Sequence, residues 1–285
     1  MKENIKLLLN FTLFKCIWNA IKLFAVVLRK GYTLTLACVN FMYWCLFCKN
    51  KITSELKKCY SIRNTSTYKF YRWKHGVAYL IGKLNGREVF IKTSGKLGKP
   101  IREIYALRYI RDNCMILRNF IPRIHVMECC EDYVVEDYIE GLSLSCCKKL
   151  DTDSKKKIVE QLLIIYTELK RNNILHLDIR PDNFIVTEKL DVYLIDFGYA
   201  LINSTDVYSF LEMNNNTYNI IRNLGSNFAL GEGKLDDAYS MLLTIKSVYP
   251  DFMKDFKDKW YMINCDIGKR TIDIVPLKTN ELIKN

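Results

Sequence analysis

Several absences narrow the class of this chain before any motif is weighed. It has no internal repeat and no low-complexity tract, which excludes a repeat architecture. The aromatic and glycine signature of an RNA-recognition motif is missing, and no specific nucleic-acid partner is expected. Eleven cysteines are present, but as Cys45-x-x-Cys48 and the vicinal pairs Cys129-Cys130 and Cys146-Cys147, with neither a second C-x-x-C nor an H-x-x-x-H partner. Those spacings fit no standard zinc or disulfide framework, so the thiols are expected to serve as small buried hydrophobes. Acidic residues are scarce in the first 60 positions and outnumbered throughout, 31 against 43 Lys plus Arg. The resulting net charge of +12 favours anionic partners, among them nucleotide, phosphorylated glycan and acidic lipid. A hydrophobic content of 49% excludes wholesale disorder, and 285 residues suffice for one sizeable domain plus an appendage.

The appendage is expected at residues 1–60. Thr12, Lys15, Asn19, Lys22 and Arg29 recur at helical spacing opposite Leu13, Phe14, Ile17, Leu23, Phe24 and Val27, the pattern of a basic amphipathic helix. Residues 32–48 then form an uncharged run at the lower limit for crossing a bilayer, with Arg29, Lys30, Lys49 and Lys51 at its ends. Its shortness and Asn40 count against a span, and a re-entrant or interfacial hairpin is an equal alternative. The segment is expected to meet an acidic membrane surface rather than to be cleaved as a secretory peptide.

Chemistry-bearing residues concentrate between 174 and 198. The apolar runs Phe184–Val186 and Val192–Ile195 read as two short strands joined by a turn around Glu188–Asp191. Such a hairpin sets the loop before it beside the turn after it. His176-x-Asp178-x-x-x-x-Asn183, followed by Asp196-Phe197-Gly198, resembles the catalytic loop and metal-binding turn of the protein-kinase-like superfamily. A phosphoryl group in transit spreads negative charge over its oxygens, so catalysis is mostly positioning and charge neutralisation. Asn183 and Asp196 offer the hard oxygens that Mg2+ prefers. Asp178 can take the proton of an acceptor hydroxyl, and Arg180 can neutralise phosphate charge.

The same resemblance assigns the stretch from Tyr68 to Leu144. Tyr68–Trp73, Val77–Gly82 and Val89–Thr93 are expected as antiparallel strands, with Asn85-Gly86 as a hairpin turn. Lys92 resembles the third-strand lysine that grips the ATP phosphates, and Glu103, in a helix running from Pro100 to about Leu117, its ion-pair partner. The family's glycine-rich loop is absent; only Gly76 and Val77 stand near its end, beside the basic Arg72, Lys74 and His75. Val134–Ile139 resembles the strand entering the interlobe hinge, where adenine would meet the backbone of Asp137 and Ile139. A helix capped by Asp153 or Ser154 is expected to run to about Arg171, and another from Leu235 to about Val248, with Asp237 anchoring the catalytic loop.

The resemblance thus implies an α+β, two-lobed kinase-like fold over residues 61–285, with a small antiparallel lobe at about 66–137 and a helical lobe at about 141–285. It implies an enzyme that uses ATP and Mg2+. Leu177 stands where many protein kinases carry arginine, no A-P-E follows Asp196, and proline occurs only at 100, 122, 181, 250 and 276. Those departures look more like small atypical kinases such as the bacterial lipopolysaccharide core heptose kinases. The expected acceptor is therefore a glycolipid sugar at the cytoplasmic face of a membrane, with a serine/threonine protein kinase and a nucleotide-binding pseudokinase scaffold as alternatives.

Overall fold

The structure, a computed structural model, describes residues 24–67, 78–93, 99–125, 133–202, 237–252, 261–266 and 271–276. Lys15, Lys22, the turn holding Gly76 and Val77 with its basic neighbours, and the Asn-rich stretch 203–225 lie outside the described residues. The chain divides into two compact units, Met1–Gly86 with Ile91–Leu97, and Arg87–Phe90 with Gly98–Asn285.

The first unit opens with helix α1 over residues 24–43, which passes through a π-helical turn, Trp44–Cys48, into α2, Lys49–Tyr60. Together they make one helix of 37 residues, so the uncharged run 32–48 is helical throughout and does not fold back as a hairpin. Polar side chains inside the apolar run are satisfied locally: Thr33 and Thr35 donate to the carbonyls of Arg29 (2.8 Å) and Gly31 (3.0 Å), one turn back. The helix stops at Ser61, whose left-handed φ of 56° turns the chain while its N–H returns to the Lys57 carbonyl at 3.1 Å.

Strand β1, Arg63–Thr67, then pairs antiparallel with β2, Tyr79–Leu84. The expected strand Tyr68–Trp73 lies outside the described residues; β1 is not an expected strand, because Arg-Asn-Thr-Ser-Thr carries no apolar alternation and is held by its ladder to β2. Gly82 is required there, since a Cβ would stand 2.6 Å from the Ile62 Cγ2. The Asn85-Gly86 turn has φ of 50° and 82°, the paired left-handed geometry that such a dipeptide accepts. Strand β3, Arg87–Thr93, is divided between the units. In the first, the Thr93 N–H donates to the Ala78 carbonyl and the Ala78 N–H to the Thr93 hydroxyl, both at 3.0 Å.

The second unit holds α3 (Lys99–Asn113), β4 (Tyr133–Asp137), β5 (Leu142–Ser143), α4 (Thr152–Arg171), β6 (Ile174–Leu175), β7 (Phe184–Val186), β8 (Val192–Leu194), β9 (Leu201–Ile202) and α5 (Asp237–Val248). A hairpin of β10 (Tyr261–Asp266) and β11 (Thr271–Pro276) follows, where the sequence suggested only a mixed basic tail. Helix α3 ends at Asn113, short of the expected Leu117. Asp112 and Asn113 are weak helix formers, and the Asn113 amide bonds the Tyr109 carbonyl at 3.0 Å.

Helix α4 is capped by Asp151, not by Asp153 or Ser154: the carboxylate accepts the Ser154 N–H at 2.9 Å and the Ser154 hydroxyl at 2.7 Å. Those two bonds, the backbone one foremost, hold the Asp151 carboxyl below the usual carboxylate range. The expected stripe Ile158, Leu162, Ile165, Tyr166 and Leu169 is buried. It joins a core containing Met241, Leu242, Ile245 and Val248 of α5 with Phe184 and Leu194 of the hairpin. Each such side chain contributes about 1.5–3 kcal/mol by leaving water.

Candidate active site

Strands β6 and β9 pair antiparallel, Ile174 opposite Ile202 and Leu175 opposite Leu201, and so close residues 176–200 into one loop system. Inside it, β7 and β8 form the expected hairpin, Phe184 opposite Leu194 and Val186 opposite Val192. Helix α4 fixes the tip. The Gln161 amide donates to the Leu190 carbonyl at 2.7 Å, its oxygen accepts the Val192 N–H at 3.0 Å, and the Lys157 ammonium donates to the Lys189 carbonyl at 2.8 Å. Leu190 has a φ of 64°, a conformation that a non-glycine residue holds only under such restraint.

Two further non-glycine residues take left-handed backbone at the heart of the site, Leu177 at 62° and Asp196 at 67°. The first is supported by buried Asp237 at the start of α5, whose carboxylate accepts the N–H of His176 and that of Leu177, the latter at 3.0 Å. Charge-assisted bonds of this kind are the stronger ones, and here they hold the loop from some sixty positions away in sequence.

His176 ties the loop to the turn that follows the hairpin. Its Nε2 lies 3.1 Å from the Ile195 carbonyl, which can only accept, and its Nδ1 lies 3.2 Å from the Asp178 N–H, which can only donate. The ring is therefore neutral with its proton on Nε2. Phe197, fully buried, meets it edge-on at 4.7 Å between centroids.

Asp178 and Asn183 are brought together. The Asn183 amide donates to the Asp178 carbonyl at 2.8 Å and to its carboxylate Oδ2 at 2.7 Å. Both partners are pure acceptors, so the NH2 orientation is fixed and Oδ1 is what the amide offers elsewhere. The Asn183 carbonyl accepts the Ile195 N–H at 2.9 Å, so a single residue couples Asp178 to the residue before Asp196. Arg180 donates to Asp182 at 2.9 Å, using one of the guanidinium's donors. Burial pushes the Asp182 carboxyl up, but the bonds from Arg180, Ser145 and Ser143 outweigh it and leave the group below its ordinary value.

The donor set suits magnesium. Asn183 Oδ1 and the Asp196 carboxylate are hard oxygens, and this ion is ordinarily held by one or two protein groups with phosphate and water completing its shell. No cluster of three or more His, Cys, Asp or Glu side chains exists among the described residues.

The remaining sequence assignments fall as follows. Lys92 and Glu103 are both buried, Lys92 in the first unit and Glu103 in the second. The Asp137 N–H donates to the Arg123 carbonyl at 2.9 Å and its carboxylate lies 2.6 Å from His125 Nε2. Ile139, half-buried, follows two residues on. Gly76 and Val77 lie outside the described residues.

Sequence reasoning missed two supports. Gly141 runs so close to β7 that a Cβ would stand 2.5 Å from the Val186 carbonyl. Ser143, in β5, pairs with Ile185 and sends its hydroxyl to the Pro181 carbonyl at 3.2 Å, joining the segment after Ile139 to the loop that carries Asp178 and Asn183. The Gly-x-Ser spacing was the available signal.

A family described as "ABC1 atypical kinase-like domain" matches residues 103–220. Serine/threonine-protein kinase 36 of Pongo abelii is 32% identical over 133 residues, 44% of this chain and 10% of that protein. Serine/threonine-protein kinase D of Synechocystis sp. is 37% identical over 70 residues, 24% of this chain and 14% of that one. The chain thus spans about a tenth to a seventh of these two relatives. Among solved structures, the Cydia pomonella Granulovirus kinase, PK-1, aligns with a TM-score of 0.40 and 19% identity over 54% of this chain and 56% of its own. The sequence matches, with the α+β architecture and the loop just described, support a kinase of the protein-kinase-like superfamily.

Proposed function

We propose that this chain transfers the γ-phosphoryl group of ATP to a hydroxyl, with Asp178 as the group that receives the hydroxyl proton. The carrying observation is the clamp of Asn183 on Asp178, at 2.8 and 2.7 Å, within a loop whose backbone is anchored by Asp237. In the transfer the acceptor oxygen bonds to phosphorus, the bond to the ADP oxygen breaks, and the acceptor proton passes to Asp178. Magnesium, held by Asn183 Oδ1 and Asp196, would neutralise phosphate charge. Lys92, Gly76 and Val77 are the residues that the kinase resemblance assigns to the phosphates. Because the Asp137 N–H is engaged by Arg123, an adenine at this position would meet the Asp137 carbonyl, with Ile139 supplying the next backbone contact.

The acceptor is a serine or threonine hydroxyl on a protein. The names of the two relatives favour this over the glycolipid sugar of the lipopolysaccharide kinases, and Arg180, which spends one donor on Asp182, keeps others for phosphate charge. A membrane glycolipid is the second reading, favoured by the exposed apolar helix from Phe24 to Tyr60 and its expected placement at a membrane surface. Incubation with γ-labelled ATP, magnesium and membranes from the native cells tests both. Label on protein serine or threonine supports the first, label in the lipid extract replaces it with the second, and no transfer to any acceptor overturns the phosphotransferase.

A further inference from the structure

Beside the helix, the first unit contains a cavity of about 680 Å³ that the phosphotransfer chemistry does not use. Asn50, Thr53, Ser54 and Lys57 line it from α2, spaced so that they share one helix face. Ile62, Arg63 and Thr65 line it from the opposite side, where the left-handed Ser61 turns the chain back along the helix. The lining carries two cations and no carboxylate. Neither Lys57 nor Arg63 forms an ion pair with a described residue, and the nearest acid of α2, Glu55, faces Lys51 at 3.9 Å. Thr53 spends its proton on the Lys49 carbonyl at 2.7 Å, which leaves Asn50, Ser54 and Thr65 as neutral donors beside the two charged ones. A concave surface with this inventory suits a phosphate, which has several acceptor oxygens and negative charge.

Position selects the source of that phosphate. The uncharged run 32–48 is about 25 Å long as a helix, close to the roughly 30 Å of a bilayer's hydrocarbon core. Asn50 to Lys57 then lie roughly 3 to 14 Å beyond its end, where the headgroup layer occupies about 5–8 Å per leaflet. We propose that this cavity binds the phosphate of an anionic membrane lipid at the point where the helix leaves the apolar phase. The proposal rests on the membrane placement of the helix and is independent of the phosphotransfer site.

The full-length protein is mixed with vesicles of phosphatidylcholine alone or with added phosphatidic acid, and separately titrated with inorganic phosphate followed by calorimetry. Binding should favour the phosphatidic acid vesicles. K57Q/R63Q should lower that preference about thirtyfold, since each cation near the surface is worth about fivefold. S54A/T65V, which alters no charge, should lower it severalfold with an unchanged circular dichroism spectrum. If S54A/T65V binds as wild type while K57Q/R63Q and K49Q/K51Q lose equal amounts, attraction is diffuse and the cavity is no site. Equal binding to both vesicle types overturns the site and leaves the membrane placement standing. Binding of inorganic phosphate without vesicle association overturns the lipid as ligand and the membrane placement with it.

Discussion

Between Ile174 and Ile202, successive turns of the backbone are held by groups distant in sequence, whereas between Phe24 and Tyr60 the helix is held by its own carbonyls. Asp237, Gln161 and Ser143 all reach the first segment from elsewhere. In the second, only 11% of the most apolar window is buried, and Leu34, Leu46 and Phe47 are exposed. The difference follows from backbone geometry. Left-handed residues such as Leu177 and Asp196 cost about 1–3 kcal/mol each and persist only where the surroundings over-determine them. A helix satisfies its own donors and acceptors but leaves its apolar side chains to be covered by something else. One region is therefore complete within the chain, and the other leaves an apolar face exposed.

The largest effect should come from breaking the chemistry inside the complete region while leaving its frame. Asp178→Asn retains an oxygen to accept from Asn183 but cannot take a proton, so kcat should fall by roughly 10²–10⁴ with ATP affinity unchanged. Single-turnover transfer beside equilibrium nucleotide binding makes the check; turnover near wild type would remove Asp178 from its role. Breaking the frame comes next. Asp237→Ala strands two buried N–H groups, those of His176 and Leu177, at about 1–3 kcal/mol each. The denaturation midpoint should drop accordingly, and Asp237→Asn, with one oxygen left to accept, should fall between.

The complete region was also the more legible one, for the same reason. Asp178, Asn183 and Asp196 sit at fixed spacing around a hairpin whose apolar runs are plain in the sequence, and the stripe of α4 has a clear helical period. The Asn85-Gly86 turn is specified by two adjacent residues. What escaped was set by partners that no local window contains. The strand Arg63–Thr67 has no apolar pattern and exists through its ladder to β2, and Gly141 matters because β7 passes close behind it. Asp151 was passed over for Asp153 and Ser154 because all three are good caps, and only the actual bond to the Ser154 N–H separates them.

A smaller effect sharpens the contrast at that glycine. Gly141→Ala would drive a methyl into the Val186 carbonyl, a backbone group that cannot swing aside. The cost should be about 1–3 kcal/mol in unfolding free energy, the usual range for overpacking. Because the segment also carries Ser143 and its bond to Pro181, KM for ATP should rise as well. A stability equal to wild type would show that β5 and β7 can part without consequence.

The smallest effect on folding belongs to the exposed helix, and it is the one that tests what covers it. Leu46 and Phe47 are 75% and 70% exposed, so Leu46→Glu with Phe47→Glu should change unfolding free energy by no more than about 0.5 kcal/mol. Association with neutral vesicles should nevertheless drop by about tenfold or more, because two carboxylates would have to enter or displace the apolar phase. Flotation of the full-length variant measures the second quantity, and chemical denaturation the first. If stability falls while flotation holds, Leu46 and Phe47 pack against this chain or a second copy of it. If the full-length protein does not float at all, the membrane reading loses its support, and with it the glycolipid acceptor, while the loop of Asp178 and Asn183 stands unchanged.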